Sequence, residues 1–442
     1  MATREVIQVE QRVPLLKGIP LSLQHLFAMF GASILVPVLF NQAAGKIVVD
    51  PALVLMMNGI GTLVYIFTCQ GKVPAFLGSS FAFISPTIVC ITSAVSPEIG
   101  FRHALSGFVA AGAIFAIVST IVRIAGRSWL NIILPPAAVG AIVALIGLEL
   151  APVAVRMAFF DASGQMNGVS AAISIFTLLV VVTGSLVFRS FFSTICILIS
   201  VLSGYALAAI INIWVPGTLD FSSVHSSSFF TIPKFALPIL DWPSIIIIVP
   251  AALVVISEDI GHLFVVSNIV GRDLLKTPGL HRSLLGDGMS TTLAGMCGSC
   301  PTTTYGENMG VMAITRVYSV WVVGGAGVIS IILAFFGKVS GVIRSIPTPV
   351  IGGVSMMLFG VIAASGLRML IEAKVDFSKS RNLLHTAVIL VIGNSKIAIK
   401  FGHIELTGMV LATIVAIIIS LLIHILDRLN LTNEPSDSKM SS

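Results

Sequence analysis

The sequence predicts an all-α polytopic membrane protein of fourteen transmembrane segments, arranged as two halves of seven with inverted topology. Three observations predict it. Of 442 residues, 56% are hydrophobic and only 10% charged, with mean hydropathy +1.04, whereas a soluble domain carries about 25% charged residues. The apolar residues fall into runs of roughly 20, the length that crosses a bilayer. The third run of each half carries a matching interruption: PAFLGSSFAFISPTIV (74–89) and CPTTTYGENMGVMAIT (300–315). Each opens on Pro and a cluster of Gly, Ser or Thr, then enters a short apolar helix.

Residues 1–19 are polar and lead straight into the first run, so no cleavable signal peptide is expected. Segments one to seven are expected at 20–40, 50–69, 75–94, 102–123, 129–151, 168–188 and 190–214. The stretch 215–242 contains VPGTLDFSSVHSSSFFTIPKF, the longest connection between apolar runs. Segments eight to fourteen follow at 243–270, 284–299, 303–317, 318–337, 343–364, 382–399 and 405–427. The tail 429–442 is polar and expected to lack fixed structure. Seven is odd, so the second half enters the membrane inverted, as in many secondary transporters.

With both ends inside, Lys46, Arg102, Arg156, Lys234, Lys338, Arg344, Lys396 and Lys400 fall outside, and the remaining Lys and Arg inside. The bias of about two to one favours cytoplasmic termini. The formal net charge of +6 reports loop orientation and implies no nucleic-acid partner. Cys69, Cys90, Cys196, Cys297 and Cys300 all lie in apolar surroundings and read as buried free thiols. CGSC (297–300) has no second pair or histidine at metal spacing, so neither a metal nor a redox role is expected.

Pro301 and Gly306 disfavour a continuous helix, and Thr302 to Thr304 favour an extended segment. Non-helical backbone at membrane depth is tolerated only where protein or a cavity satisfies it. Two such segments can pair, with the half-helices that follow aiming their free N–H groups at one spot. Glu307 sits at that junction. A carboxylate in a membrane segment marks a functional site by default, although an acid in a first helical turn is also stabilised by the helix dipole. Glu258, in PAALVVISEDIGHLFVVSNIV (250–270), has His262 at i+4 on the same face, an arrangement able to exchange a proton near neutral pH. A structural ion pair is the plainer alternative. Asp259 lies about 100° around the helix and faces elsewhere. Asp287, among glycines in LLGDGMSTTLAG, either orients the site or caps a helix.

Two carboxylates disfavour an anionic substrate. They accept hydrogen bonds from N–H donors, while half-helix N–H groups donate to carbonyls, and Phe81 and Tyr305 offer flat apolar faces. A planar, neutral ring with alternating N–H and C=O groups, a nucleobase of the uracil pattern, meets every requirement. A metal or amine cation would use the acids but not the N–H donors.

The segments EDIGH (258–262) and TTYGENMGVMAITRVYS (303–319) resemble the nucleobase–ascorbate transporter family, also called nucleobase–cation symporter-2. The family signature reads here Glu307, Asn308, Gly310, Thr315 and Arg316, and its Gln–His pair reads Gln24 and His25. The likeness extends through VPAFLGSSFAFISP (73–86), PPAAVGAIVALIGLELA (135–151), PGLHRSLLGDGMST (278–291) and IEAKVDFSKSRNL (371–383), over nearly the whole chain. Within the family it is similar to the bacterial uracil permease branch.

The resemblance implies short antiparallel strands interrupting segments three and ten. It implies a core domain (20–124 and 243–337) and a gate domain (125–214 and 338–428), with homodimers formed through the gate. It further implies that Glu258 and Glu307 hold the base edge, that backbone N–H groups near Phe81 and Gly306 meet its carbonyls, and that Tyr305 packs by the ring. Proton coupling falls to Glu258, His262 and Glu307, with Gln24, His25, Ser80, Asp287, Asn308 and Phe359 in support. Phe359 stands where the uracil branch is expected to carry Tyr, and Asp287 where it is expected to carry Asn. The expected function is proton-coupled import of uracil across a bacterial inner membrane, with no cofactor beyond the proton and no enzymatic step. A purine or xanthine permease, or an anion exchanger of the same architecture, is the alternative.

Overall fold

The computed structural model describes residues 6–161, 163–189, 191–395, 397–401 and 404–432. Lys396, expected outside, Arg4 and Lys439 among the residues expected inside, and the tail from 433 onward lie outside the described residues.

The chain opens with α1 (Leu15–Ala44), which starts earlier than the expected 20–40. α2 (Pro51–Thr68) begins at the N-cap Asp50, whose carboxylate accepts from Ala52 N. Strand β1 (Leu77–Ser79) then runs through a turn of 3-10 helix, Phe81–Phe83, into α3 (Ile84–Ser93). α4 (Pro97–Ala125) is capped by Ser96. Pro135 and Pro136 divide the expected 129–151 run into α5 (Ser128–Ile133) and α6 (Pro136–Phe159), because Pro disfavours helix in the residue before it. α7 (Gly168–Val187), α8 (Phe191–Thr194) and α9 (Cys196–Ile211) complete the first half. The polar connection holds α10 (Ser222–Ser226) and then lies along the protein, donating from Ala236 N to Cys297 O (3.1 Å) and from Ile239 N to Arg102 O (2.9 Å).

The second half comprises α11 (Trp242–Val270), α12 (Leu280–Cys297), β2 (Thr302–Thr304), α13 (Gly306–Thr315) and α14 (Val320–Ala334). α15 (Gly337–Ser345) and α16 (Thr348–Glu372) are again separated by a proline, Pro347, within an expected single run. α17 (Ser380–Asn394) stops short of 399. The chain there forms an antiparallel hairpin, β3 (Ala398–Phe401) with β4 (Ile404–Thr407), before α18 (Gly408–Arg428).

Among the described residues, eight helices are long and apolar enough to cross a membrane: α1, α2, α4, α6, α7, α11, α16 and α18. Phe81–Ser93, α9 and α14 are shorter apolar helices. The protein is therefore a largely helical, multi-pass membrane protein.

The helices pack in two groups. α1 to α4 lie chiefly against one another and against α11, α12 and α14, while α6, α7, α9, α16, α17 and α18 form the second group. Small residues set the close approaches inside each, as is usual between membrane helices. A Cβ on Gly112 of α4 would come 2.6 Å from the Gly288 carbonyl of α12, and one on Gly366 of α16 would come 2.6 Å from the Gly140 carbonyl of α6. Between the groups contact is sparser. An apolar cavity of about 380 Å³, lined by Phe30, Leu198, Tyr205, Val342 and Ile346 among others, opens along that seam.

Candidate functional site

The site is built on the two interrupted segments. β1 and β2 pair antiparallel, Leu77 opposite Thr304 and Ser79 opposite Thr302. Because the ladder is antiparallel, the helices that follow leave from opposite ends, so both N-termini flank the same short sheet. A two-stranded sheet leaves outer edges, and hydroxyls satisfy them. Thr62 Oγ1 accepts from Leu77 N (2.9 Å), Thr291 Oγ1 donates to Thr302 O (2.9 Å), and Ser290 Oγ lies 2.6 Å from Thr302 Oγ1. Hydroxyls of α2 and α12 thus replace hydrogen bonds that a helix would have supplied.

Tyr305 ends β2. Its hydroxyl donates to Ser79 O (2.8 Å), and a Cβ on Gly78 would fall 2.5 Å from its ring, so Gly at 78 is what lets the ring lie on the strand. The Tyr305 ring is nearly parallel to Phe81 (centroids 6.4 Å apart, planes at 15°). Phe359, from α16 in the second helix group, meets Phe81 edge-on at 6.3 Å. The site therefore lies at the seam between the groups.

Glu258, on α11, and Glu307, in the first turn of α13, are partly exposed and close enough to act electrostatically on each other and on Tyr305. His262 lies beside Gly306: a Cβ there would be 3.6 Å from His262 Nε2. Its Nδ1 is 3.0 Å from Thr304 Oγ1, so the hydrogen bond of this imidazole goes to the strand rather than to Glu258 one turn back. Phe81, Glu258, His262, Tyr305, Gly306, Glu307 and Phe359 thus come together.

The other expected residues stand around this group. His25 Nδ1 hydrogen-bonds Asn308 Oδ1, joining α1 to α13, while Asn308 Nδ2 is buried with no partner among the described residues. Gln24 donates to Thr194 Oγ1 (3.1 Å), reaching from α1 to α8. Ser80 is buried, its hydroxyl without a partner among the described residues. Asp287 is wholly buried on α12, close enough to Glu258 to interact with it electrostatically.

Three residues near the site were given no functional role from the sequence. Asp259, turned away from Glu258 as its spacing requires, accepts from Ser283 Oγ (2.9 Å) and Thr304 Oγ1 (3.3 Å). Thr304 bridges Asp259 and His262. Glu149, on α6, accepts from Ser85 Oγ of α3 (2.5 Å) and from Met409 N of α18 (3.0 Å), a carboxylate shared between the helix groups. Among the described residues, no cluster of three or more His, Cys, Asp or Glu is placed to hold a metal ion.

Residues 16–402 match the xanthine/uracil permease model, described as the Permease family. The chain is 54% identical over 434 residues to a uracil permease of Paenibacillus larvae, covering 97% of this chain and 99% of the relative. It is 53% identical over 426 residues to the uracil permease of Escherichia coli K12, covering 96% and 95%. At 43% over 427 residues it is also similar to a Bacillus caldolyticus uracil permease, covering 95% of each. Two solved structures share the fold. One is the transmembrane domain of a cyanobacterial bicarbonate transporter, BicA (TM-score 0.61, 14% identity, 93% of this chain and 100% of that one). The other is murine Slc26a9, an anion transporter in the inward-facing state (TM-score 0.72, 11% identity, 94% and 69%). With the family model spanning most of the chain and relatives above half identity end to end, the chain belongs to the nucleobase–ascorbate transporter family of permeases.

Proposed function

We propose that the protein is a proton-coupled symporter that imports uracil across a bacterial inner membrane. The observation that carries this reading is the pair Glu258 and Glu307, partly exposed, facing one space beside the α13 N-terminus and two near-parallel rings. A pyrimidinedione donates its ring N–H groups to the carboxylates and accepts at its carbonyls from free N–H groups at the starts of the Phe81 helix and α13. The 6.4 Å between Phe81 and Tyr305 exceeds direct ring contact. It approaches the roughly 7 Å that a flat ring in contact with both would need. An anion would meet two negative charges here, which separates this chain chemically from the anion carriers that share its fold. The relatives named uracil permease support the choice of base.

In this reading the chain makes fourteen crossings as two inverted repeats, with both termini cytoplasmic. The core (20–124 and 243–337) rocks against the gate (125–214 and 338–428), and two copies dimerise through the gate. The sparse seam and the Phe359–Phe81 contact across it support such motion. Protonation at Glu258, His262 or Glu307 accompanies binding from outside, and release follows at the higher cytoplasmic pH. Uracil is neutral, so one co-transported proton carries one positive charge inward, and the membrane potential contributes about 2.3 kcal/mol per 100 mV.

The test is uptake of radiolabelled uracil into cells lacking their own uracil permease, with and without a protonophore. Saturable uptake that collapses with the protonophore supports the reading. No uracil uptake by well-expressed protein refutes the substrate, and uptake of labelled xanthine in its place would favour the purine alternative.

A further inference from the structure

Behind β2, away from the proposed substrate space, two more acids face each other. Asp259 and Asp287 are both fully buried. Asp259 is served by Ser283, whose Oγ lies 2.9 and 3.2 Å from its two carboxyl oxygens, and Ser283 in turn is 2.6 Å from Tyr65 Oη. Asp287, one helical turn after Ser283 on α12, makes no full hydrogen bond on either oxygen among the described residues, the donor that lies toward it being the Thr304 backbone N–H. What its carboxyl meets is the carboxyl of Asp259.

The titratable groups facing the pair are Glu258 on α11 and Tyr65 and Cys69 on α2. β2 contributes the hydroxyl of Thr304. From α4, Gly112 and the Phe115 side chain meet α12 at Gly288, beside Asp287. Arg282 donates instead to the Thr68 carbonyl (3.2 Å). Two buried ionised carboxylates in contact, with no cation against them among the described residues, repel strongly, and such pairs hold one proton between them. A single proton also cures the orphan: protonated Asp287 donates to ionised Asp259, whose remaining lone pairs are met by Ser283 and Thr304.

Thr304 makes this pair relevant to transport. Its hydroxyl is 3.3 Å from Asp259 Oδ1 and 3.0 Å from His262 Nδ1, and His262 Nε2 borders Gly306 at the half-helix start. A proton can pass along this line with full balance. Imidazolium Nδ1–H gives its proton to the threonine oxygen as that hydroxyl gives its own to a carboxylate oxygen of the pair. The imidazole ends neutral, the threonine unchanged, and the pair one proton richer.

We propose that Asp259 and Asp287 form a proton-sharing pair that stores the co-transported proton behind β2, exchanging it with His262 through the Thr304 hydroxyl. This rests on the proton-coupled reading above. It assigns the proton a site separate from the acids that hold the base.

The full-length protein, purified and reconstituted into vesicles with a pH-sensitive dye inside, tests it. Two assays run in parallel: uracil-driven acidification of the lumen, and uracil counterflow, which needs substrate binding and rocking but no net proton movement. For Asp287→Asn, counterflow is expected to stay within about tenfold of wild type, while acidification per uracil falls at least tenfold. Thr304→Val, which keeps the volume and removes the hydroxyl, is expected to slow acidification more than counterflow. Wild-type acidification per uracil in Asp287→Asn overturns the storage pair. So does loss of counterflow together with acidification, which marks a structural role, and so does uptake that follows a sodium gradient. A wild type that moves uracil without acidification refutes the proton-coupled reading itself, independently of the pair.

Discussion

Gly78→Ala changes one atom in a strand and should be felt in the binding site. A Cβ at 78 would lie 2.5, 2.5 and 2.9 Å from three ring carbons of Tyr305. Carbon–carbon contact settles at about 3.5–4 Å, so the ring has to retreat by about 1 Å. It cannot do so and keep both its 2.8 Å bond to the Ser79 carbonyl and its 6.4 Å spacing to Phe81. Stranding the buried Ser79 carbonyl costs about 1–3 kcal/mol. If that loss is borne by the bound state it amounts to roughly a 5- to 150-fold rise in the Kd for uracil. The assay is equilibrium binding of radiolabelled uracil to purified protein, with thermal unfolding as a check on folding. Tyr305→Phe serves as the comparison, because it strands the same Ser79 carbonyl while leaving the ring face in place, and should weaken binding by a similar factor. A folded Gly78→Ala protein with a Kd within twofold of wild type would refute the reasoning that the strand fixes the ring.

Other perturbations probe the frame around the site. Glu149 links α6, α3 and α18, so Ser85→Ala removes a hydrogen bond between the helix groups. Uracil counterflow rates should change several-fold while Kd holds, and a shift in Kd alone would contradict the assignment. Asp50 is nearly buried, caps α2, and binds Arg344 (2.9 Å) and Ser340 (3.2 Å). Asp50→Ala should lower stability by about 3–5 kcal/mol by leaving Arg344 unpaired, read as a large fall in Tm. Glu10 pairs with Arg272 at 2.5 Å, and that hydrogen bond holds its carboxyl below the ordinary glutamate range. The folded-state pKa is depressed, so the pair's contribution is present above the unfolded glutamate pKa of about 4.3 and is lost as pH falls through the lower, folded value. For so exposed a pair it is at most about 1 kcal/mol. Glu10→Gln should therefore lower Tm slightly at pH 7 and leave it equal to wild type well below pH 4, and a difference that grows in acid would contradict the sign.

The parts of the site that break membrane rules were legible in the sequence. Glu258 and Glu307 stand out because acids in apolar runs are costly, and Pro301 and Gly306 because they disfavour an unbroken helix through the segment. Asp259 was legible only as a direction, about 100° from Glu258. That Ser283, Thr304 and Asp287 wait on that side depends on how α12 and β2 pack against α11, which no local pattern encodes. Glu149 was hidden by a boundary error. The run was read as ending at 151, where Pro152 and Arg156 follow, whereas α6 continues to Phe159 and sets Glu149 well inside it. Pro152 is tolerated within this long helix. The β3–β4 hairpin had a signal in the alternation of Ile397, Ile399 and Phe401, then Ile404 and Leu406, but the apolar content of 382–399 masked a period of two. The breaks at Pro135 and Pro347 split runs whose summed hydropathy reads as continuous, because a hydropathy window averages over a single proline.

The account stands on two carboxylates that hold a neutral base. Equilibrium binding of radiolabelled uracil to purified wild type, Glu258→Gln and Glu307→Gln, each verified as folded, measures that directly. A hydrogen bond to a charged group is worth about 1.5–3 kcal/mol, so each variant should bind roughly 10- to 150-fold more weakly. Wild-type affinity in either folded variant would contradict the role given to that carboxylate, and in both would move the substrate site elsewhere.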